Sequence, residues 1–371
     1  MTTDLKANAK AQRRQRFEGA WKVIRDELVE HLASEGMPSD AIEWFGKNLD
    51  YNVPGGKLNR GMSVVDSVEI LKNRELTEEE YFQAAVLGWC IELLQAYFLV
   101  SDDMMDGSIT RRDQPCWYRV QSVGNIAIND SFMLEAAIYW LLKKHFRQSP
   151  CYVDLLEVFH ETTYQTEMGQ LIDLITAPED HVDLSKFSLK KHRLIVVYKT
   201  AFYSFYLPVA CAMYLCGVPP SYIPSTEPFS STKPVHPYDV AKAILVPLGE
   251  YFQVQDDFLD YSAPPEVLGK IGTDIIDNKC SWVINTALAL VTPEQRKVLD
   301  QNYGKKGKEE EQRVKDVFKA VGIEQKYAEY EQNAYETLTK LISEVPEGTK
   351  ETELKQEVFT SFLNKIYKRT K

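Results

Sequence analysis

Two acidic clusters of one form stand out in the 371-residue chain: Asp102-Asp103-Met104-Met105-Asp106 and Asp256-Asp257-Phe258-Leu259-Asp260, both D-D-x-x-D. Each follows an apolar helical run, IELLQAYFLVS before the first and GEYFQVQ before the second. On a helix, the i, i+4 spacing sets Asp102 over Asp106 and Asp256 over Asp260. Like charges so placed cost about 0.2–0.5 kcal/mol per pair. Negative charge at a helix C-terminus also opposes the macrodipole, by about 0.3–1 kcal/mol. A chain that does this twice calls for a cation. Mg²⁺ suits the donors, because it is hard, takes oxygen ligands octahedrally, and favours one or two carboxylates completed by substrate phosphates and water. An EF-hand reading of the first cluster fails: with Asp106 and Gly107 at loop positions 5 and 6, position 3 is Met104 and position 12 is Asp113.

Metal-held phosphate leaves charge for Lys and Arg to meet. Arg111 and Arg112 follow the first cluster in GSITRRDQPCW, and Lys270 and Lys279 follow the second in GKIGTDIIDNKCSW. Lys199 opens KTAFYSFYLP. Lys57 and Arg60 lie in PGGKLNRG, where Gly55-Gly56 lets the backbone come close to an anion and the i, i+3 spacing aims both side chains at one target. Singly, each reads as an ordinary surface charge; their company with glycines, aromatics and acidic clusters raises them. No P-loop, G-x-G-x-x-G or G-x-S-x-G is present, and His160-Glu161 does not complete H-E-x-x-H because Tyr164 takes the fifth place. The six histidines are scattered and read as structural. The chemistry these residues offer is phosphate and metal chemistry without an obvious nucleophile.

These residues need helices to hold them. Helical periodicity runs through Trp21 to Leu32, Glu79 to Val100, Ser131 to Phe146, Val153 to Leu174, Arg193 to Leu215, Val240 to Leu259, Cys280 to Val291 and Glu351 to Ile366, with few alternating strand patterns. The predicted fold is all-α, one large helical domain over 1–371. Segment 219–237 holds six of the 17 prolines and reads as a surface loop between core helices. Lys305 to Asp316 reads as a solvated helix face. The net charge of −11 disfavours a nucleic-acid binder. Six cysteines without a C-x-x-C pair read as reduced and buried, which fits a cytoplasmic protein. Lys6, Lys10, Arg13, Arg14 and Arg16 resemble a mitochondrial presequence in charge, but no serine appears before Ser34. The stretch reads rather as the exposed start of a helix that turns Phe17, Trp21, Ile24 and Leu28 inward. Ala201 to Val218 is mostly apolar, yet Pro208 interrupts it and Ser204 and Gly217 dilute it, so it is predicted as a core helix and no membrane span is expected.

Taken together, FLVSDDMMDGSITRRDQPCWYR, GEYFQVQDDFLD, PGGKLNRG, YKTAFYSFYLP and GKIGTDIIDNKCSW resemble the trans-isoprenyl diphosphate synthase family, most closely its eukaryotic farnesyl diphosphate synthases. The tail Tyr367-Lys368-Arg369-Thr370-Lys371 is similar to that family's basic C-terminus. The resemblance implies ten core helices around a deep cavity, a homodimer, and acidic clusters facing each other across the cavity mouth with three Mg²⁺ between them. It implies Asp102, Asp106 and Asp256 as the main metal ligands, supported by Asp103, Asp257 and Asp260. It gives Arg111, Lys199 and Lys270 to the allylic diphosphate (dimethylallyl or geranyl), with Thr200, Gln253 and Lys279 nearby. Gly56, Lys57, Arg60, Gln95 and Arg112 fall to isopentenyl diphosphate, with the basic tail closing over it. Metal and Lys/Arg clamps would neutralise the leaving pyrophosphate, and a dry cavity would protect the allylic cation. The Thr200 hydroxyl, the Lys199 carbonyl and the Gln253 amide oxygen are dipoles suited to stabilising that cation, and the departed pyrophosphate is a plausible proton acceptor.

Product length follows from helix geometry. Phe98, at i−4 from Asp102, lies one turn below it, about 5.4 Å, with Tyr97 beside it. In this family context the two aromatics form a floor suited to fifteen carbons; on spacing alone they read as core. A geranylgeranyl diphosphate synthase would differ mainly at that floor. A terpene cyclase would mix Asn, Ser or Thr with Glu in the second cluster, and a non-catalytic partner subunit would tend to lose aspartates; here every one is present.

Overall fold

A computed structural model describes residues 2–178, 181–224, 234–264 and 272–367, with side chains from residue 8 onward. The described residues are overwhelmingly helical, as the periodicity predicts, and they divide into two compact units.

The first unit comprises residues 1–160, 207–219 and 350–352. It contains α1 (Thr2–Ser34), α2 (Ser39–Asn52), α3 (Asn59–Lys72), α4 (Glu78–Met105), a hairpin of β1 (Thr110–Arg111) and β2 (Gln114–Pro115), α5 (Ile126–Phe146), the first part of α6 (Tyr152–Thr176), and α8 (Leu207–Leu215). As read from the sequence, α1 buries Phe17, Trp21, Ile24 and Leu28. Phe17 stacks on Trp89 of α4 at 4.6 Å, and the Trp89 indole donates to the Phe17 carbonyl at 3.0 Å. The basic start of α1 is built into the fold: Arg13 pairs with Asp66 and Glu69, and Arg16 with Glu78. α4 begins with a capping box. Thr77 Oγ1 accepts from Glu80 N at 3.2 Å, and Glu80 Oε2 accepts from Thr77 N at 3.0 Å.

The second unit comprises residues 161–206, 220–349 and 353–371. Its helices are the rest of α6, α7 (Leu189–Val196), a π-helical segment (Val197–Tyr206), α9 (Pro237–Ser262), α10 (Trp282–Leu288), α11 (Pro293–Asn302), α12 (Lys308–Ala320), α13 (Ile323–Ser343) and α14 (Gln356–Ile366). Its core gathers Val254, Trp282, Tyr303, Phe318 and Tyr327, with Phe258 stacked flat on Tyr327 at 3.8 Å. The last helix starts at Gln356, not Glu351, because the preceding residues turn back so that Gly348 N donates to Leu354 O at 2.7 Å.

Two stretches are long and apolar enough to cross a membrane, Glu78–Met105 and Leu189–Leu215, but 72% and 67% of their most apolar windows are buried within the fold. The sequence reading singled out only the second. Pro208 breaks that stretch by changing its register: a proline has no N–H to give and crowds the carbonyl four residues back, and the widened π turns end two residues before it, at Tyr206. Of the segment 219–237, residues 225–233 lie outside the described residues, as do Lys270 and the basic tail from Lys368. Tyr222 and Val235 flank that gap and pair as an antiparallel bridge.

Candidate active site

In the first unit, α4 ends at its acidic cluster. Asp106 is the C-cap, and its N–H donates to Asp102 O at 2.8 Å. Asp102 and Asp106 are partly exposed, whereas Asp103 turns inward and is 3% exposed. Asp103 accepts from Arg111 Nη2 at 2.6 Å and from Arg111 Nε at 3.1 Å; Arg111 Nη2 lies 3.8 Å from Asp102. Burial pulls the Arg111 guanidinium down, and the Asp103 and Asp102 carboxylates outweigh it, so its pKa ends above the ordinary value.

A two-residue turn separates Arg111 from its neighbour. Arg112 and Asp113 both have positive φ, 54° and 62°, the type I′ pattern that matches a hairpin's twist. Arg112 therefore points elsewhere. Its Nη1 donates to Pro54 O at 2.6 Å and Asn52 O at 3.1 Å, and it lies against Gly56, where a Cβ would come within 2.9 Å of its Nη2. Burial lowers the Arg112 pKa. Arg14 of α1 donates to Gly56 O from another side at 2.9 Å. Lys57 is exposed on the same loop, and Arg60 opens α3. With the Gln95 amide nitrogen turned to Glu92 Oε2 at 3.0 Å, its oxygen accepts from Arg60 Nη1 at 3.0 Å. The first unit thus gathers Gly56, Lys57, Arg60, Gln95 and Arg112 around one loop. Arg111 and Arg112 line a small cavity of about 20 Å³ together with Asp103, Leu99 and Trp117. Tyr97 and Phe98 lie side by side on α4, ring centroids 4.9 Å apart.

The second unit repeats the pattern at the end of α9. Asp256 is partly exposed, while Asp257 and Asp260 are buried. Asp257 Oδ2 meets His192 Nε2 at 2.8 Å and accepts from Trp282 N at 2.7 Å; its Oδ1 accepts from Gln253 Nε2 at 3.1 Å. Asp260 accepts from Asp274 N at 3.0 Å. A cavity of about 160 Å³ is lined by Lys199, Thr200, Gln253, Asp257 and Lys279, with Asp173 among them. Lys199 Nζ donates to Asp173 Oδ2 at 2.7 Å, and Lys279 Nζ lies 3.9 Å from the same oxygen. Two cations thus converge on one carboxylate, the arrangement that also suits a phosphate oxygen.

Lys199 and Thr200 owe their placement to the π-helical segment and two glycines. A Cβ on Gly169 of α6 would stand 2.2 Å from Lys199 N, and one on Gly249 of α9 would stand 2.6 Å from Ala201 Cβ. Only helices lacking side chains at those points approach so closely. Tyr303 fixes the far wall, its hydroxyl donating to Lys279 O at 2.6 Å.

Asp173, Glu92, Gly169 and Gly249 drew no role of their own in the sequence reading, because each meets a partner distant in the chain. His192 does have the structural role assigned to the histidines, and what it supports is a residue of the second acidic cluster.

Among the described residues no three acidic, histidine or cysteine side chains are close enough to hold a metal by themselves. The available donors are carboxylate oxygens, partly exposed at Asp102, Asp106 and Asp256. That set fits Mg²⁺, which completes its octahedron with water and substrate phosphate rather than with a protein cage.

The polyprenyl synthetase family profile matches residues 42–321. The chain is 64% identical over 370 residues to the farnesyl pyrophosphate synthase of Ganoderma lucidum, covering 98% of this chain and 100% of that protein. It is 57% identical over 368 residues to the farnesyl pyrophosphate synthase of Saccharomyces cerevisiae, with the same coverage. Among solved structures it is similar to the farnesyl diphosphate synthase of T. brucei complexed with risedronate. The TM-score is 0.83 at 32% identity, over 97% of this chain and 100% of that one.

Proposed function

The chain belongs to the polyprenyl synthetase family, and we propose that it joins isopentenyl diphosphate head-to-tail to dimethylallyl diphosphate and then to geranyl diphosphate, making farnesyl diphosphate. The observation that carries this reading is the 160 Å³ cavity, where Lys199, Lys279, Thr200 and Gln253 converge beside an acidic cluster. Lys199 and Lys279 take the allylic diphosphate, exchanging Asp173 for its oxygens, with Lys270 and Arg111 assisting. The C–O bond ionises as these cations neutralise the departing pyrophosphate. The Thr200 hydroxyl, the Lys199 carbonyl and the Gln253 amide oxygen orient dipoles toward the allylic cation, and the apolar walls Ile195 and Val196 keep water from it. Gly56, Lys57, Arg60, Gln95 and Arg112 hold isopentenyl diphosphate, whose double bond attacks the allylic cation to form the new C–C bond, and the condensed cation then loses a proton to the departed pyrophosphate. Tyr97 and Phe98 limit its length.

Mg²⁺, three ions by family resemblance, would be held by Asp102, Asp106 and Asp256 together with substrate phosphate; when bound it adds positive charge at the leaving group. Asp103, Asp257 and Asp260, held in hydrogen bonds, keep each cluster in place. Exposed apolar residues support a homodimer: Ile128 and Phe132 one turn apart on α5, and Leu171 and Ile175 one turn apart on α6. All six cysteines are free and buried, which suits the reducing cytosol. Incubation with isopentenyl and dimethylallyl diphosphate plus Mg²⁺, with products separated by chain length, tests the reading. A fifteen-carbon product is expected; a twenty-carbon one would reassign the enzyme, and no condensation would end the proposal.

A further inference from the structure

Glu92 lies in the middle of α4, 1% exposed, among apolar neighbours. A carboxylate there needs a reason, since its burial is unfavourable unless its oxygens are well met. Both are met, one by the first turn of α3, which carries Arg60, and one by Gln95 a turn further along α4. Oε1 accepts from Gly61 N at 2.8 Å, at the first turn of α3. Oε2 accepts from the Gln95 amide nitrogen at 3.0 Å, which turns the Gln95 oxygen toward Arg60 Nη1, also 3.0 Å away. Burial pushes the Glu92 carboxyl above its ordinary value, and the Gly61 N–H and the charges of Arg60, Arg112 and Arg14 act against that rise.

We propose that Glu92 is a positioning residue for isopentenyl diphosphate: it sets the Gln95 amide, and through it the Arg60 guanidinium, while pinning the first turn of α3 at Gly61. The inference rests on the proposed function and adds a residue to it. The Gln95 oxygen faces Arg60 while its nitrogen is held by an acceptor behind it. Glu92 supplies that acceptor and has no proton of its own to offer when ionised. In Glu92→Gln the size is kept and the Gly61 N–H can still be met. The second atom becomes a donor, however, so Gln95 faces either a donor behind it or a donor in front. Arg60 then loses its fixed orientation whichever way Gln95 turns. Glu92→Asp keeps both acceptors but is one methylene short of spanning Gly61 N and Gln95 together.

The test is steady-state kinetics with isopentenyl diphosphate varied at saturating geranyl diphosphate, and the reverse. Glu92→Gln should raise KM for isopentenyl diphosphate about tenfold, the effect of one charge-assisted contact, and leave KM for geranyl diphosphate within about twofold. Glu92→Asp should give a smaller rise of the same kind. KM does not depend on how much of a preparation is folded, so a poorly folding variant still decides. An unchanged isopentenyl KM in Glu92→Gln, or both KM values rising together, overturns the inference. Arg60→Gln run alongside separates the failures. If it raises the isopentenyl KM and Glu92→Gln does not, only the role of Glu92 falls. If the wild-type chain condenses nothing, the proposed function falls first.

Discussion

Replacing Gly169 with alanine is the most demanding test of how the proposed allylic site is built. The added Cβ would sit 2.2 Å from Lys199 N, 2.6 Å from Tyr198 C and 2.7 Å from Lys199 Cα. All three are backbone atoms, so no side chain can swing aside. Relief to an ordinary 3.4 Å contact needs a retreat of 3.4 − 2.2, about 1.2 Å, of the peptide that carries Lys199. Misplacing a catalytic group by about 1 Å can lower the rate by about 10²-fold. Overpacking costs about 1–3 kcal/mol, and alanine for glycine inside a helix returns about 1 kcal/mol, so the net destabilisation is about 0–2 kcal/mol. The expected Gly169→Ala enzyme is folded, melts a few degrees lower, and has kcat/KM for geranyl diphosphate reduced about 10²-fold. Gly19→Ala is the control. Gly19 lies in α1 with nothing within 4 Å of an added Cβ, so this variant should gain about 1 kcal/mol with unchanged kinetics. If Gly169→Ala turned over like wild type, placement of Lys199 by close helix approach would be wrong.

Three further outcomes are expected. Phe98→Ala removes the ring beside Tyr97 and should move the product toward twenty carbons by chromatography; an unchanged farnesyl product would count against the floor assignment. EDTA should abolish turnover and added Mg²⁺ restore it, and persistence of full activity in EDTA would dismiss the carboxylates as metal ligands. Burial pushes the Cys280 thiol up to about 11 and the Cys116 thiol up to about 12, so at pH 8 only about one in 10³ and one in 10⁴ should be thiolate. The native fold then holds those protons more tightly than the unfolded chain. For Cys280 the contribution to stability is complete below its unfolded value and is lost as pH rises from there toward 11, by at most about 1.4 kcal/mol per pH unit. Iodoacetamide should therefore leave both thiols unlabelled at pH 8 until denaturant is added; rapid native labelling would contradict their burial.

The long helices were legible because their apolar periodicity is local and strong, as in α1 with Phe17, Trp21, Ile24 and Leu28 inward. The acidic clusters were legible because carboxylates at i, i+4 after an apolar run are an unfavourable pattern that asks for a cation. What stayed hidden depends on approach between distant segments. The π-helical register at Lys199 and Thr200 follows from Pro208 ahead of it and from Gly169 and Gly249 on its flanks, and no window of sequence contains all of them. Asp173 is 26 residues from Lys199 and farther still from Lys279, so their meeting leaves no local spacing to read.

Arg111 and Arg112 show how local backbone turns a weak motif into a specific one. Two adjacent arginines on a helix would be about 100° apart and could share one anion. Here Arg111 is in an extended strand and Arg112 opens a turn at positive φ, so their side chains part. Arg111 goes to Asp103 at the end of α4, and Arg112 goes to the carbonyls of Asn52 and Pro54 beside Gly56. The left-handed conformation is unusual for arginine and is held because three elements fix it: the hairpin ladder, the Asp103 ion pair and the carbonyl grip. A two-residue loop thereby distributes neighbouring cations between an acidic cluster and a glycine loop. In the proposed reading Arg111 serves the allylic substrate and Arg112 isopentenyl diphosphate. Inserting one glycine between them would rotate Arg112 out of its carbonyl grip, and the expected effect is loss of isopentenyl affinity before any loss of fold.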